Sequence, residues 1–457
     1  MHSHGPDIAV PSRREFLQAT AASVGGAILL SPALSAGAYA AGGDTIKVAL
    51  IGCGARGTGA IAQALSTPQP VKLWAMADAF SDRLEGSLAE LEKGAPGSYN
   101  LAKGTGFGDK LDVPPERRFV GLDAYRKAID AGVDVVIITG PPGFRPQHFE
   151  YAVAAGKHVF MEKPVATDPA GVRRVLAAAE VAKRKNLKIG VGLQRHHDPG
   201  YQETVQRIQD GEIGRIVTLR CYWNSGPPAK RPVARADMTE LEYQVRNWYF
   251  FDWLSGDHIC EQHIHNIDVC NWVKQAYPVQ AEGMGGRQVR TGKEYGNIFD
   301  HHFVEFTYAD GTKMFSQCRQ IPGCQNRVAE FVEATDGEAE LAGSRSTLAK
   351  GGKKYWRPAR LRGEANVSPY QIEHNVLFDA IANDKPHHEV EYGARSTMTA
   401  ILGRFATYSG KAVTWDEALG SDHVLTTDAE SWEAKAPVSP LADGSYAIAM
   451  PGVTHVV

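Results

Sequence analysis

A strand-to-helix turn with the pattern Gly-x-Gly-x-x-Gly constrains the fold of this chain more than any other feature. Its three glycines are Gly52, Gly54 and Gly57. The apolar, β-branched run 46–51 precedes them, and the helix-compatible stretch 58–65 follows them. A chain with 47 glycines in 457 residues produces such spacings by chance, so the flanking strand and helix patterns carry the prediction. We predict that this turn opens a parallel sheet that binds a dinucleotide.

Each residue of the turn has a distinct role in that prediction. Gly52 permits the tight turn, Gly54 lets the backbone approach a pyrophosphate, and Gly57 lets the helix pack closely on the strand. Ala55 and Arg56 lie at the start of the helix, where free N–H groups face the anion. We therefore assign all five residues to the cofactor site.

The acid at the end of the second apolar run, 71–77, bears on the choice of nucleotide. Asp78 is placed to accept hydrogen bonds from the hydroxyls of the adenosine ribose and to repel a 2′-phosphate, which favours NAD over NADP. Arg56 and Arg83 lie close by in the sequence and leave NADP as an alternative. A glycine-rich turn followed by a solvated aspartate is the other interpretation of the whole segment.

The N-terminus has the pattern of a twin-arginine export signal. Arg13 and Arg14 lie in the hexapeptide Ser-Arg-Arg-Glu-Phe-Leu, followed by the weakly apolar stretch 19–34 and a small-x-small cleavage site at 38–40. The apolar stretch is too short and too rich in Gly, Ala and Ser for a membrane span, and an amphipathic helix is the alternative. We assign residues 1–40 to the signal.

The twin-arginine export machinery, which we expect as a partner, carries proteins that have already folded. We therefore expect a periplasmic or secreted protein without a stable membrane anchor in its mature form. Because free nucleotide is scarce outside the cytoplasm, we expect NAD to bind tightly before export and to be recycled in place.

Composition excludes other classes of protein. The net charge of −3 and the lack of a long basic run argue against nucleic acid as a partner. The six cysteines show neither a CxxC pair nor metal-ligand spacing. Scattered buried thiols are therefore expected rather than a disulfide framework, with one disulfide as the alternative.

Alternating strand and helix patterns predict a Rossmann domain over residues 44–194. Its apolar runs are continuous and separated by helices, which is typical of a parallel sheet covered on both faces. Ligands bind beyond the carboxyl ends of such strands. The residues after these strands that we assign to the cofactor site are Thr139, Pro141, His148, Glu162, Lys163 and Gln194.

The pattern changes from residue 195 onwards. Longer runs of alternating hydrophobicity predict a second α/β domain, 195–415, with an open, mostly antiparallel sheet. The late helices within 369–408 belong to this domain or pack back on the first, and 416–457 forms a tail. The polar stretch 342–367 is expected to be a loop.

An aromatic-rich insertion follows the first strand of this second domain. Its large aromatic residues are Trp223, Tyr243, Trp248, Tyr249, Phe250, Phe251 and Trp253. Aromatic rings commonly pack against sugar rings, and we assign Trp248 to the substrate site. The alternative is a subunit interface or a core, since large aromatics dominate those as well.

The segment Glu162-Lys163-Pro164 is the second chemical signal. A lysine at the end of an inner strand, near the reactive end of a bound nucleotide, can transfer a proton, and we assign Lys163 to catalysis. Read alone, the tripeptide is equally an ordinary surface turn.

The segment from Glu261 to His265 is the third chemical signal. On a helix these residues fall at i and i+4, so the carboxylate can orient and charge-stabilise the imidazole for proton transfer, and both are assigned to catalysis. A polar helix with a purely structural role is one alternative. A metal site is another, with ligands drawn from His258, Glu261, His263, His265 and the His301-His302 pair. Since no HExxH spacing appears, we predict no metal.

These signals, in this order, resemble the Gfo/Idh/MocA oxidoreductase family over nearly the whole mature chain. The resemblance rests on the glycine turn, Thr139-x-Pro141, Glu162-Lys163-Pro164, Gln194-Arg195, the helix 261–268 and the segments 370–374 and 410–413. It implies a Rossmann domain joined to an α/β domain whose open sheet often serves oligomerisation, and hence a dimer or tetramer. It also implies NAD(P)-dependent oxidation or reduction of a sugar, a sugar derivative or a cyclitol.

In the family the lysine and the helix histidine contact the reacting hydroxyl, which corresponds to Lys163 and His265. We assign Arg195 and His197 to the substrate site as well. One departure is Glu261, where the family usually has Asp, so the longer side chain can turn elsewhere.

Some relatives are NAD-dependent glycoside hydrolases that oxidise the sugar transiently, and they usually carry Thr-His-Gly-Leu-Gly-Pro in this helix. Residues 261–266 do not match that pattern. Oxidoreduction is therefore the leading hypothesis, hydrolysis by transient oxidation the second, and a non-catalytic secreted sugar-binding protein the third.

Overall fold

Two sheets organise the part of the chain that the computed structural model describes, namely residues 45–94, 106–228, 230–359 and 367–457. The predicted export signal, 1–40, lies outside the described residues. Among the described helices, none combines the length and the apolar character needed to cross a membrane.

The first sheet has six parallel strands, as the continuous apolar runs predicted. Its strands are β1 (Ile46–Ile51), β2 (Val71–Asp78), β3 (Arg118–Val120), β4 (Val135–Ile138), β5 (His158–Met161) and β6 (Ile189–Val191). The helices around it are α1 (Ala55–Leu65), α2 (Ser81–Lys93), α3 (Ala124–Asp130), α4 (Arg145–Ala154) and α5 (Pro169–Arg184). The strand order is β3-β2-β1-β4-β5-β6. Strands β2 and β3 are added on one side of β1, and strands β4 to β6 on its other side, so the order of strands reverses between β1 and β4. A crevice at this reversal is where such sheets bind nucleotides.

The second sheet has nine strands among the described residues and is antiparallel except for one pair. The elements of this domain up to the sheet's central strands are α6 (Pro199–Gln209), β7 (Ile216–Ser225), α7 (Glu240–Arg246), α8 (Asp252–Ser255), α9 (Asp257–Glu261), α10 (Ile264–Lys274), β8 (Gln280–Gly286), β9 (His301–Thr307) and β10 (Lys313–Gln320). The remaining elements are β11 (Arg327–Ala334), β12 (Glu338–Leu341), β13 (Thr347–Lys350), β14 (Lys353–Trp356), α11 (Pro369–Ala382), α12 (Val390–Ser409), β15 (Val413–Thr414) and α13 (Trp415–Gly420). The order is β14-β13-β12-β11-β7-β10-β9-β8-β15, with β7 and β10 parallel. These two sheets confirm the predicted α/β fold class.

One face of the second sheet is covered by helices α10 and α12. Every second residue of β9 and β10 is buried, as the alternation of hydrophobicity predicted. The buried side chains of the sheet, such as Phe306 and Met314, join a core with Ile267 of α10 and Phe405 of α12. The opposite face, where the alternate residues of these strands are half-buried, is left open by the helices of the described residues.

The stretch predicted to be a polar loop, 342–367, contains two strands instead. Strands β13 and β14 lie at the edge of the second sheet, and residues 360–366 lie outside the described residues. Lys350, Lys353 and Lys354 make these strands polar. Edge strands commonly carry lysines because charge discourages pairing with another chain, and this removes the hydrophobic alternation that identifies a strand.

The late helices pack against the first domain. Leu377 and Phe378 of α11 are buried in one core with strand β1 and helix α1. The segment before α12 pairs with the edge strand β6, where His388 lies opposite Ile189. Glu389 then accepts hydrogen bonds from the Val191 N–H, at 2.8 Å, and from His197, at 2.9 Å.

Replacing Glu389 by Gln should destabilise this junction. Burial alone would raise the pKa of Glu389, but the hydrogen bond and charge of His197 outweigh it and lower the pKa to about 2. The stabilisation is therefore complete above the ordinary pKa of 4.5 and is lost as the pH falls towards 2. We expect Glu389→Gln to lower the free energy of unfolding at neutral pH by about 1–3 kcal/mol, with a smaller difference in acid. Urea denaturation at both pH values measures this, and equal stabilities at neutral pH would contradict it.

Candidate nucleotide and substrate site

A cavity of about 340 Å³ opens at the carboxyl ends of β1, β2 and β4, at the reversal of strand order. Three turns form its inner wall: the glycine turn, the segment after β2 and the segment after β4. The predicted cofactor residues that line it are Gly52, Gly54, Ala55, Arg56, Gly57, Asp78, Thr139, Pro141 and His148.

The glycines of the turn meet different surroundings. Gly52 has a φ of +91°, and a Cβ there would overlap with the backbone of Gly140. A Cβ on Gly57 would overlap with the carbonyl oxygen of Gly52, to which the Thr139 hydroxyl donates at 2.6 Å. A Cβ on Gly54 would meet nothing within 4 Å, since Gly54 faces the cavity. The turn is therefore closely packed where Gly52 and Gly57 face the protein interior, and it is open where Gly54 faces the cavity.

The open side of the turn fits the diphosphate of a dinucleotide. Gly54 is the N-cap residue of α1, no side chain caps this helix end, and its first turn contains no acidic residue. The free N–H groups at such a helix end, together with the helix dipole, favour an anion.

Asp78 is held at the edge of the cavity by two backbone groups. Its carboxylate accepts hydrogen bonds from the N–H groups of Cys53, at 2.6 Å, and Phe80, at 2.9 Å. Burial raises the pKa of Asp78, and these two donors offset part of that rise. Each carboxylate oxygen keeps a lone pair for a ribose hydroxyl. Four cationic side chains line the same cavity: Arg56, Arg83, Lys230 and Arg246.

His148 forms part of the opposite wall as a neutral ring. It stacks on Tyr125 with ring centroids 4.2 Å apart. Burial, followed by the charges of Arg145 and Arg126, lowers its pKa to about 3. The ring therefore carries no charge at neutral pH.

The Lys163 ammonium is buried between the two domains, two residues beyond β5. It donates to the backbone carbonyl of Glu261 and lies 3.4 Å from the carboxylate oxygen Oε1 of the same residue. The exposed fraction of Lys163 is 9% and that of Glu261 is 8%. Burial raises the pKa of Glu261, although the charges of Lys163 and Arg145 oppose the rise. Lys163 and Glu261 therefore form a buried ion pair across the domain junction.

The predicted pairing of Glu261 with His265 is not formed. The helix is interrupted between them, because α9 ends at Glu261 and α10 begins at Ile264. The N–H groups of both Gln262 and His263 bond to the carbonyl of His258, which breaks the i, i+4 register. The Glu261 carboxylate instead lies beside Lys163, and His265 Nδ1 has no hydrogen-bond partner among the described residues.

His265 nevertheless lies in the same electrostatic environment as the lysine. Burial lowers its pKa well below the ordinary value, and the charges of Lys163 and Arg195 add to this effect. The imidazole is therefore neutral at pH 7, so it can accept a hydrogen bond at one nitrogen and donate at the other.

Arg195, which we predicted to contact the substrate, forms a buried ion pair with Glu330 of β11. The same carboxylate accepts from the Asn266 amide and from the Tyr201 hydroxyl, the latter at 3.0 Å. The network therefore joins the end of the first domain to α10 and β11. Glu330 was not among the predicted site residues. The one signal in the sequence that could have identified it is a charged residue at an inward position of a strand.

Three other predicted site residues have different partners. His197 pairs with Glu389 at the domain junction. Gln194 donates to the Tyr370 hydroxyl at 3.0 Å. Trp248 lines the nucleotide cavity, with the Lys230 amine 5.3 Å from its ring centroid. The ring that faces His265 is that of Trp223, with centroids 6.0 Å apart and planes at 26°.

One group of side chains among the described residues has the spacing of a metal site. Asp257, His258 and His302 are buried close together. The Asp257 carboxylate already accepts from the His258 ring, at 2.8 Å, and from the Tyr408 hydroxyl, at 2.7 Å. These side chains form a hydrogen-bonded cluster in the core that fixes the position of the start of α9. The six cysteines are unpaired, and all except Cys324 are buried.

This arrangement defines a class of protein: a Rossmann domain with a nucleotide cavity, joined to a second α/β domain. A family model for an oxidoreductase family with an NAD-binding Rossmann fold matches residues 46–192. A model of the GFO/IDH/MocA C-terminal domain matches residues 201–348. The chain therefore belongs to the Gfo/Idh/MocA oxidoreductase family, as its motifs predicted.

Curated relatives resemble part of the chain. An inositol 2-dehydrogenase of Acidiphilium cryptum is 33% identical over 146 residues, which cover 31% of this chain and 42% of that protein. An inositol 2-dehydrogenase of Pseudomonas fluorescens is 31% identical over 172 residues, covering 37% of this chain and 44% of the relative. The chain thus spans less than half the length of the curated relatives it matches.

Solved structures resemble the chain over most of its length. The aldose–aldose oxidoreductase of Caulobacter crescentus, in complex with glycerol, has a TM-score of 0.62 at 17% identity and covers 81% of this chain and 100% of its own. The scyllo-inositol dehydrogenase of Lactobacillus casei, with NAD(H) and scyllo-inositol, has a TM-score of 0.59 at 21% identity, with coverages of 81% and 99%. At these identities the likeness shows the shared fold.

Alanine substitutions at two glycines of the turn should separate packing from nucleotide binding. Gly57→Ala forces a methyl group against the Gly52 carbonyl, so we expect a loss of stability of about 1–3 kcal/mol. Gly54→Ala should leave the stability of the nucleotide-free protein unchanged and weaken nucleotide binding, because its methyl group would project into the cavity. Thermal unfolding and calorimetric titration with NAD measure the two effects. Identical behaviour of the two variants would contradict this division of roles.

Proposed function

We propose that this protein is an NAD-dependent oxidoreductase that acts on a hydroxyl group of a sugar, a sugar derivative or a cyclitol. The observation that carries this proposal is the buried Lys163–Glu261 pair, which lies with His265 at the carboxyl edge of the sheet that forms the nucleotide cavity. Inositol 2-dehydrogenases among the relatives support the class of substrate.

The residues of the site have complementary roles in this proposal. NAD, when bound, supplies the two-electron redox chemistry. Lys163 directs two of its N–H groups towards Glu261, so a third remains for the oxygen of a substrate hydroxyl. Glu261, whose pKa burial has raised, can take the proton that Lys163 must give up before it accepts one from substrate. The neutral His265 ring holds the same hydroxyl by a hydrogen bond.

Replacing Lys163 by Ala should abolish turnover without removing the nucleotide. We expect the rate to fall by about 10²–10⁴, the contribution typical of a positioned proton-transfer group. The nucleotide content of the purified variant should match that of the wild type, because Lys163 is not among the residues that line the cavity. An unchanged rate would contradict the catalytic role of Lys163.

The substrate screen for this experiment should contain glycosides as well as free sugars and cyclitols. Absorbance of the bound reduced nucleotide reports oxidation, and release of the aglycone reports hydrolysis through transient oxidation. Binding without either change would instead indicate a non-catalytic sugar-binding protein.

We also infer that the nucleotide remains bound after twin-arginine export to the periplasm. The C-terminal tail supports this inference, because it braces the outer wall of the nucleotide cavity. Glu430 accepts hydrogen bonds from Tyr125, at 3.2 Å, and from Arg126, at 2.8 Å. The Trp432 ring stacks on Phe80 with centroids 5.3 Å apart. Both Tyr125 and Phe80 line the cavity.

The aromatic-rich insertion contributes to the same wall. Its residues Phe251 and Trp253 are buried in one apolar cluster with Phe80 and Phe144 of the first domain. Tyr446 of the C-terminal tail belongs to the same cluster. The nucleotide cavity is thus lined by the first domain together with Lys230, Arg246 and Trp248 of the second, and the tail backs its outer wall. Asp78 favours NAD as the nucleotide, while Arg83 and Lys230 keep NADP as the alternative.

The periplasmic protein, purified without added nucleotide, should carry about one NAD(H) per chain, released by denaturation and quantified by chromatography. Trp432→Ala should retain less, with dissociation roughly ten-fold faster, because the variant loses a ring stack and its buried apolar area. Trp415→Ala removes an equal side chain from α13, outside the residues that line the cavity, and serves as the control. Wild-type protein that lacks nucleotide would contradict retention.

The open face of the second sheet suits self-association, and we propose a homo-oligomer, a dimer or tetramer, formed through it. Phe303 and Phe315 stack on this face, with centroids 6.4 Å apart, and Met284 beside them is 72% exposed. Large apolar side chains exposed on a sheet face are typical of an interaction surface. Light scattering of the purified protein measures the oligomeric state, and a monomer would exclude this role.

A further inference from the structure

The inner face of the second sheet is only partly covered by helices near His265. Cys221 of β7 and Glu330 of β11 are opposite each other, and both are buried beneath the segment that carries His263 and Asn266. The next inward pair along these strands is Trp223 and Val328. Because directly opposite residues of antiparallel strands share a face, these two side chains continue the same surface.

The helical layer ends between these two pairs. Cys221 and Glu330 are exposed by 0% and 1%, whereas Trp223 is half-buried and Val328 is 43% exposed. An apolar ledge, which consists of Trp223 and Val328, therefore projects beyond the covered core. It lies at the end of β7, where the second domain meets the catalytic pair.

Trp223 combines two features of a ligand-binding ring. Its face is turned towards the His265 ring, at a centroid distance of 6.0 Å. Its indole N–H donates to no group among the described residues and is not fully buried. A flat apolar surface with a free donor at its edge is thus presented beside a neutral catalytic imidazole.

The other aromatic residues of the insertion lie in the core or at the nucleotide cavity. Tyr243, Tyr249, Phe250, Phe251 and Trp253 are buried, and Trp248 lines the nucleotide cavity. The ledge is therefore the aromatic surface of this insertion that remains for a substrate.

We propose that the ledge binds the C–H face of a six-membered sugar or cyclitol ring whose hydroxyl groups are equatorial. This proposal rests on the proposed function. When the hydroxyls of such a ring are equatorial, its axial C–H bonds form two apolar faces that can lie flat on an indole. An axial hydroxyl on that face would place an unpaired polar oxygen against the indole, at a cost in free energy. Trp223 would thereby select glucose-type rings over epimers whose axial hydroxyl lies on the face that is stacked on the indole.

The test compares Trp223→Ala and Trp223→Phe with the wild type, using a glucoside and its galactose-type and allose-type epimers, whose axial hydroxyls lie on opposite faces of the ring. The epimer compared below is the one that the wild type disfavours. For Trp223→Ala we expect KM for the glucoside to rise roughly ten-fold, while kcat changes by less than about three-fold, because the lost interaction is with the ring and not with the reacting atoms. The preference for the glucoside over the epimer should shrink in this variant. Trp223→Phe keeps a ring and should restore most of both properties.

Controls separate this effect from a general loss of structure. Trp356→Ala removes a half-buried tryptophan from the edge strand β14 and should leave KM and the epimer preference unchanged. Melting temperature and bound nucleotide should match the wild type in all variants. Trp223→Ala with unchanged KM and unchanged epimer preference would overturn the proposal. A change in its elution volume with KM unchanged would also overturn it, because Trp223 would then be a subunit contact.

Failure of the proposed function gives a different result. In that case no sugar or cyclitol would reduce the bound nucleotide of the wild type or of any variant. Calorimetric titration of the same rings then tests the ledge alone. Binding of the glucoside by the wild type, lost in Trp223→Ala, would support it, and equal binding or no binding by both would overturn it.

Discussion

A buried ammonium group requires a partner, and the contact of Lys163 with Glu261 meets that requirement across the domain junction. An uncompensated charge in this position would cost several kcal/mol, at least about 3. The second domain must therefore place the end of α9 against the end of β5. A neighbouring polar contact holds the same junction, since Arg404 donates to the Thr167 carbonyl at 2.8 Å. The site exists only where the two sheets are held in this relation.

Much of the fold follows from local patterns, because burial leaves a periodic trace in the sequence. The first sheet is buried on both faces, and its strands appear as continuous apolar runs such as Val135–Ile138. The second sheet is buried on one face, and its long strands alternate. The short strands β13 and β14 escaped prediction because lysines at a sheet edge interrupt the alternation. Short-range patterns thus identify an element when its burial is regular.

The candidate site divides along similar lines. Residues whose role depends on backbone geometry, such as the glycines and Asp78, lie at the cavity as their motif predicts. Roles that depend on a distant partner could not be predicted. Spacing within one helix favoured a Glu261–His265 pair, whereas a break in that helix leaves Glu261 beside Lys163. Similarly, the partner of His197 lies in another element nearly 200 positions away, and no sequence spacing encodes it.

The path of the C-terminal tail has a consequence for the order of events in the cell. The glycine turn and Asp78 are made well before Glu430 and Trp432, which brace Tyr125 and Phe80. Domains generally fold as they emerge, starting from the N-terminus. The nucleotide cavity is therefore formed while its outer wall is still unbraced, and it gains that brace only after Glu430 and Trp432 have been made. A chain interrupted before these two residues would present an unbraced cavity to a nucleotide.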